Sequence, residues 1–269
     1  MSKTPETYEE VERILSVSSV AKDLDIPKWE EWAVHTAGLA ANDDVFLDSC
    51  SSMILRLVIQ VASSATPPVL PIVARVAARW SERVRNKKAP SVPAIMAAEA
   101  YTTVRSNAYV PEVRALCGIA YYLQLQDMDD CQTFEKDGIV TKVRTDRKLT
   151  NEQAFKLLTG HYSLVRFWQS FRLNPSKIPL DDQCSKDRHV RCNTVWTKRW
   201  TSAVGWKRIM TLNEADALGL IACLKSQLGE DDELKAGMAP GCRLAGLEML
   251  EKKRDEVDAN LMSHFLGCI

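Results

Sequence analysis

Histidine is scarce in this chain: four in 269 residues, at positions 35, 161, 189 and 264, each isolated in sequence. The commonest general base is thus missing from any local motif, and other local signatures of catalysis are missing too. There is no Walker loop, no Gly-x-Gly-x-x-Gly turn, no Gly-x-Ser-x-Gly elbow and no His-Glu-x-x-His. The paired acids Asp43-Asp44, Asp129-Asp130 and Asp231-Asp232 read as caps and turns, so nothing favours an enzyme. Long apolar runs are lacking. Met53–Ala62, the most apolar stretch, is ten residues long and contains Arg56 and Gln60, whereas a membrane span needs about twenty. Met1–Glu12 is acidic and has no apolar core, which argues against a secretory leader. The eight cysteines, at 50, 117, 131, 184, 192, 223, 242 and 268, form no paired framework, and no permissive Asn-x-Ser/Thr acceptor occurs. Both facts fit a reducing compartment in which cysteines serve as small buried apolar residues.

What is present is a globular composition, 46% apolar and 26% charged, with a strongly segregated charge. Residues 1–48 carry a balance of −7 and residues 213–269 one of −5, so the stretch 49–212 carries +12 and the whole sums to zero. Asymmetry of this kind bears on partners more than on fold.

The pattern predicts an all-α protein of two packed helical lobes: an N-terminal lobe over 1–126, a connecting segment over 127–150, and a C-terminal lobe over 151–269. Thr4-Pro5 is a helix start, followed by Val11, Ile14 and Leu15 as an apolar face; Pro27 opens a second helix through Trp29, Trp32, Ala33 and Leu39. A third is expected to run unbroken from the Asn42-Asp43-Asp44 cap to about Ala62, apolar nearly all round and therefore central. Further helices fit about 71–85, 92–106, 111–126 and 151–172. Asp137-Gly138 within 134–140 suggests a small hairpin in the connection. Residues 174–193 read as a long polar loop, 194–209 as a tryptophan-rich helix, Thr211–Glu214 as a capping box with Gly229 stopping the helix it opens, and 242–265 as a last amphipathic helix.

Two basic segments are candidate anion sites. In the first, Arg75, Arg79 and Arg83 recur every four residues and Arg85, Lys87 and Lys88 follow, with only Glu82 opposed. Arg75 and Arg79 fall beside an apolar arc of Ile72, Val73, Val76, Ala77 and Trp80, so a cationic stripe for RNA or lipid phosphate is expected, against the alternative of pairing with the acidic N-terminal lobe. The second, 186–208, holds seven cations against Asp187, among them Lys198, Arg199, Lys207 and Arg208, together with Trp196, Trp200 and Trp206. Trp196 and Trp200 share helical spacing with Ala203 and belong to a core stripe; Trp206 falls outside it and is the better stacking candidate. The first segment ranks higher because the second shares its tryptophans with a core.

A third constellation is Cys184-x4-His189-x2-Cys192, three zinc-type ligands expected in one loop. A structural site needs a fourth and none is local, so the expectation is no metal and no cofactor.

In size, two-lobe plan and the arginine-rich helix at Arg75–Lys88, the chain resembles a viral matrix protein of the orthomyxovirus type, of the thogotovirus branch. The resemblance implies a self-associating layer in the virion and at the inner face of the host membrane, or in host cytoplasm or nucleus, bound to anionic lipid, RNA or ribonucleoprotein. A nucleocapsid or coat protein with an RNA groove is the alternative, and a cellular all-helical enzyme or adaptor a third.

Overall fold

The computed structural model describes residues 7–104, 109–129, 149–180 and 184–266. Among these there are fourteen α-helices and no strand. The expected hairpin at 134–140 and the Thr4-Pro5 cap lie outside the described residues. The helices fall into two compact units that divide at the end of the seventh.

The N-terminal unit contains α1 (Tyr8–Asp23), α2 (Pro27–Asn42), α3 (Asp44–Ser49), α4 (Ser52–Ser64), α5 (Leu70–Arg85), α6 (Ser91–Val104) and α7 (Pro111–Asp129). Val11, Ile14 and Leu15 form the inner face of α1, as their spacing predicts. In α2 the expected apolar face holds at Ala33 but not at its larger residues. Ala33, Thr36, Ala37, Ala40 and Ala41 are buried, while Trp29, Trp32 and Leu39 are exposed. Small residues let α1 and α4 approach this helix closely, which indole rings would prevent. The single helix expected over 43–62 is two. The chain leaves helical geometry at Cys50 and Ser51, and the Ser51 hydroxyl caps α4 by accepting from the Ile54 amide (3.3 Å). α4 is central, packed against α1, α2, α5 and α6.

The C-terminal unit contains α8 (Asn151–Leu173), α9 (Lys186–Ala203), α10 (Lys207–Met210), α11 (Ala217–Glu230), α12 (Asp232–Gly237), α13 (Pro240–Ala259) and α14 (Leu261–Phe265). Its core gathers Trp168, Trp196, Trp200, Leu224 and Phe265. The loop expected over 174–193 is shorter: α9 begins at Lys186, capped by Ser185, whose hydroxyl accepts from the Arg188 amide (3.4 Å). α11 begins after the expected capping box, with Asp216 accepting from the Gly219 amide (2.9 Å), and runs through Gly229 to Glu230. The last helix breaks at Asn260 into α13 and α14.

Candidate anion-binding face and a cysteine–histidine cluster

The arginines of α5 have partners inside their own unit. Arg75 donates to Asp44 (3.1 Å) and to the Asn42 side chain (3.3 Å). Arg79 Nε donates to Asp48 (2.6 Å), and its two terminal nitrogens reach Asp48 and Glu82. These bonds hold the Asp48 carboxyl below its ordinary range. Arg83 is turned inward. It is 8% exposed and donates to the Leu47 carbonyl (2.7 Å), at the end of α3. α5 is thus tied to α3 by three arginines in succession, one per turn. Arg85, Lys87 and Lys88, at the C-terminal end of α5, are exposed.

The second basic segment is organised differently. Lys186, Arg188, Arg191, Lys198, Lys207 and Arg208 are all exposed, and among the described residues none of them pairs with a carboxylate. Arg191 and Lys198 lie seven residues apart on the outer face of α9, about 10 Å along the helix. Beside Lys198 is an open concavity of about 830 Å3, lined by Lys177, Val190, Thr194, Thr197 and Thr201. Arg199 is the exception in this segment. It donates twice to the buried Asp231 (2.8 and 2.6 Å) and pairs with Glu233 (2.8 Å), which anchors α9 to the start of α12. Its guanidinium carbon stands 5.9 Å from the Trp206 ring centre. Trp206 is half-buried under that contact and so stacks within the protein. Trp196 and Trp200 are core, as their spacing predicts.

The same helix carries an inner face of different chemistry. Cys184 immediately precedes the Ser185 cap, and His189 and Cys192 follow on one side of α9. His189 and Cys192 stand on a helix where a loop was expected. Cys242, in the first turn of α13, completes the set from fifty residues downstream. The ligand atoms of Cys184, His189 and Cys242 all lie within 4.8 Å of one another, and Cys242 Sγ is 3.5 Å from His189 Nδ1. Cys184 and Cys192 neighbour the Cys242 thiol, and the Ala239 amide donates to Cys192 Sγ (3.4 Å). All three sulfurs are buried and the imidazole is half-buried. Asn193 holds the far side of the ring: its Nδ2 is 2.8 Å from Nε2, while its Oδ1 accepts from the Ile178 amide (2.9 Å).

Among the described residues one serine–histidine contact lies outside these regions. Ser163 Oγ and His264 Nδ1 are 2.8 Å apart between α8 and α14. Among the described residues no carboxylate hydrogen-bonds His264, and burial lowers its basicity; a nucleophile–base pair needs an orienting third group.

No protein-family model, curated protein or solved structure matches the chain.

Proposed function

We propose that this is a non-enzymatic, self-assembling structural protein of the viral matrix type, and that a phosphate polyanion meets it at the α9–α10 face. The observation that carries this reading is the contrast between the two basic segments. Arg75, Arg79 and Arg83 are already engaged by Asp44, Asp48 and the Leu47 carbonyl. Six exposed cations of 186–208 are engaged by no carboxylate among the described residues. Unpaired cations are what release counterions from a polyanion, while paired ones must first break an existing contact. The second segment therefore replaces the first as the leading anion surface.

Self-association is supported by a row on α8. Phe155, Leu158 and Tyr162 recur at three- and four-residue steps and are 66%, 67% and 63% exposed. A second copy is the occupant proposed for that row, since a matrix layer requires copy-to-copy contacts.

The test uses the full chain, anionic vesicles without RNA, and single-stranded RNA without lipid. A Lys198→Glu/Lys207→Glu/Arg208→Glu variant should lose binding to both probes, while Arg75→Gln/Arg79→Gln should retain it. Unchanged binding by the triple variant overturns the assignment. Flotation with vesicles supports the matrix reading; binding to RNA alone turns the same face to a nucleocapsid role and overturns it. Phe155→Glu/Leu158→Glu should reduce the sedimentation coefficient at high protein concentration, and an unchanged value removes α8 from the assembly.

A further inference from the structure

We infer that Cys184, His189, Cys192 and Cys242 bind one Zn2+ as a closed Cys3His site that staples α13 to α9. The inference does not depend on the anion reading above, because it uses none of the cations of 186–208.

Donor type and number fit, and so does the spacing of three of the four donors. Zinc in structural sites takes four ligands, with bonds of about 2.3 Å to sulfur and 2.0–2.1 Å to nitrogen. A regular tetrahedron with those bonds has S···S edges of about 3.8 Å and S···N edges of about 3.6 Å. The Cys242 Sγ to His189 Nδ1 separation is 3.5 Å, and the three ligand atoms of Cys184, His189 and Cys242 fall within 4.8 Å of one another. Cys192, one turn along α9 from His189 and beside Cys242, is the fourth donor; its sulfur lies outside that 4.8 Å group, so binding the ion draws it in. Three soft sulfurs and one imidazole suit zinc over magnesium or calcium, which take oxygen. The burial of all three sulfurs suits a structural ion without an open position.

The surroundings suit thiolates. Cys192 Sγ accepts the Ala239 amide, and Cys242 sits in the first turn of α13, where the helix dipole favours negative charge. Burial, with the neighbouring thiols, pushes the Cys242 thiol up. A bound divalent ion reverses that balance and turns folding of the unit into a metal-linked equilibrium.

The backbone positions the ligands in advance. Cys192 and Trp196 are one turn apart on α9, and Cys242 and Gly246 one turn apart on α13. A Cβ built on Gly246 would come 2.8 Å from the Trp196 ring, so the two helices approach as closely there as they can. That approach delivers Cys242 to Cys192.

The experiment is metal analysis of untagged full-length protein purified without chelator, with a Co2+-substituted sample for spectroscopy. One zinc per chain is expected, and the Co2+ protein should show tetrahedral d–d bands with sulfur-to-metal charge transfer. Cys242→Ser and Cys184→Ser should lose the metal, while Cys223→Ser, outside the cluster, should keep it. Should the ligand variants fail to fold, a chelator should lower the melting temperature of the wild type and added zinc should restore it. Wild-type protein that takes up no zinc from zinc-supplemented buffer, or a Cys242→Ser variant that retains a full equivalent, overturns the assignment.

Discussion

Trp196 fills the space that any side chain at position 246 would need: a Cβ on Gly246 would lie 2.8 Å from one ring carbon and 2.9 Å from the next. The indole is fully buried, so it has no open side to retreat into. Gly246→Ala should therefore destabilise the C-terminal unit by about 1–3 kcal/mol through overpacking. It should also weaken metal retention, because the same contact sets the distance between Cys242 and Cys192. Gly229→Ala is the control. Its nearest neighbour would be Leu247 at 3.8 Å, and alanine is the better helix former in the last turn of α11. Urea denaturation of the two variants should move in opposite directions.

The three α5 arginines should separate by burial. Arg83→Ala leaves the Leu47 carbonyl without its 2.7 Å donor inside the protein, a loss of about 2–3 kcal/mol. Arg75→Ala removes an ion pair to Asp44 whose side chains are 46% and 67% exposed, and should cost less than about 1 kcal/mol. Equal effects in thermal denaturation would remove the distinction between an inward and an outward arginine on this helix.

Acid should act on the two units in different windows. Burial depresses His264 below its ordinary 6.5, so the unfolded chain takes up that proton first. Its stabilising effect on the C-terminal unit is complete above pH 6.5 and declines as pH falls through the lower folded value. Asp48, held below its ordinary 3.8 chiefly by the Arg79 hydrogen bond, stabilises the N-terminal unit fully above 3.8 and loses its effect only at stronger acidity. His264→Gln should flatten the first decline and Asp48→Asn the second, read as melting temperature against pH.

Asn193 sets the state of the cluster's imidazole. Ligation through Nδ1 leaves a proton on Nε2, which then faces the Asn193 amide nitrogen 2.8 Å away. Aspartate at this position offers one oxygen to Nε2–H and keeps the other for the Ile178 amide. Asn193→Asp should tighten zinc by about tenfold, measured by competition with a chromogenic chelator. Weaker binding by Asn193→Asp would mean that the ring engages through its other nitrogen.

The helices over 70–85, 91–104, 111–129 and 151–173 were legible because proline, serine or threonine punctuates their starts and apolar residues fill their length. The first two turns of α9 were not. Their inward residues are His189 and Cys192, which carry no apolar period, so cations and polar side chains read as loop. For the same reason the cluster looked one ligand short: Cys242 comes from another helix, and only tertiary packing brings it near. The inward turn of Arg83 was equally hidden, since an arginine at the edge of an apolar arc can snorkel out or reach a buried carbonyl. Trp29 and Trp32 misled in the other direction. Aromatic residues near an alanine face look like core, yet the alanines are what the neighbouring helices pack against.

The ties between α5 and α3 also constrain how the sequence can drift. Positions 75 and 44, and positions 79 and 48, are exposed charge pairs, so a change at one member is tolerated when its partner changes with it. Position 83 meets a backbone carbonyl, which no substitution can alter. In related chains the first two pairs should covary, while arginine at the third position should stay fixed and covary with nothing.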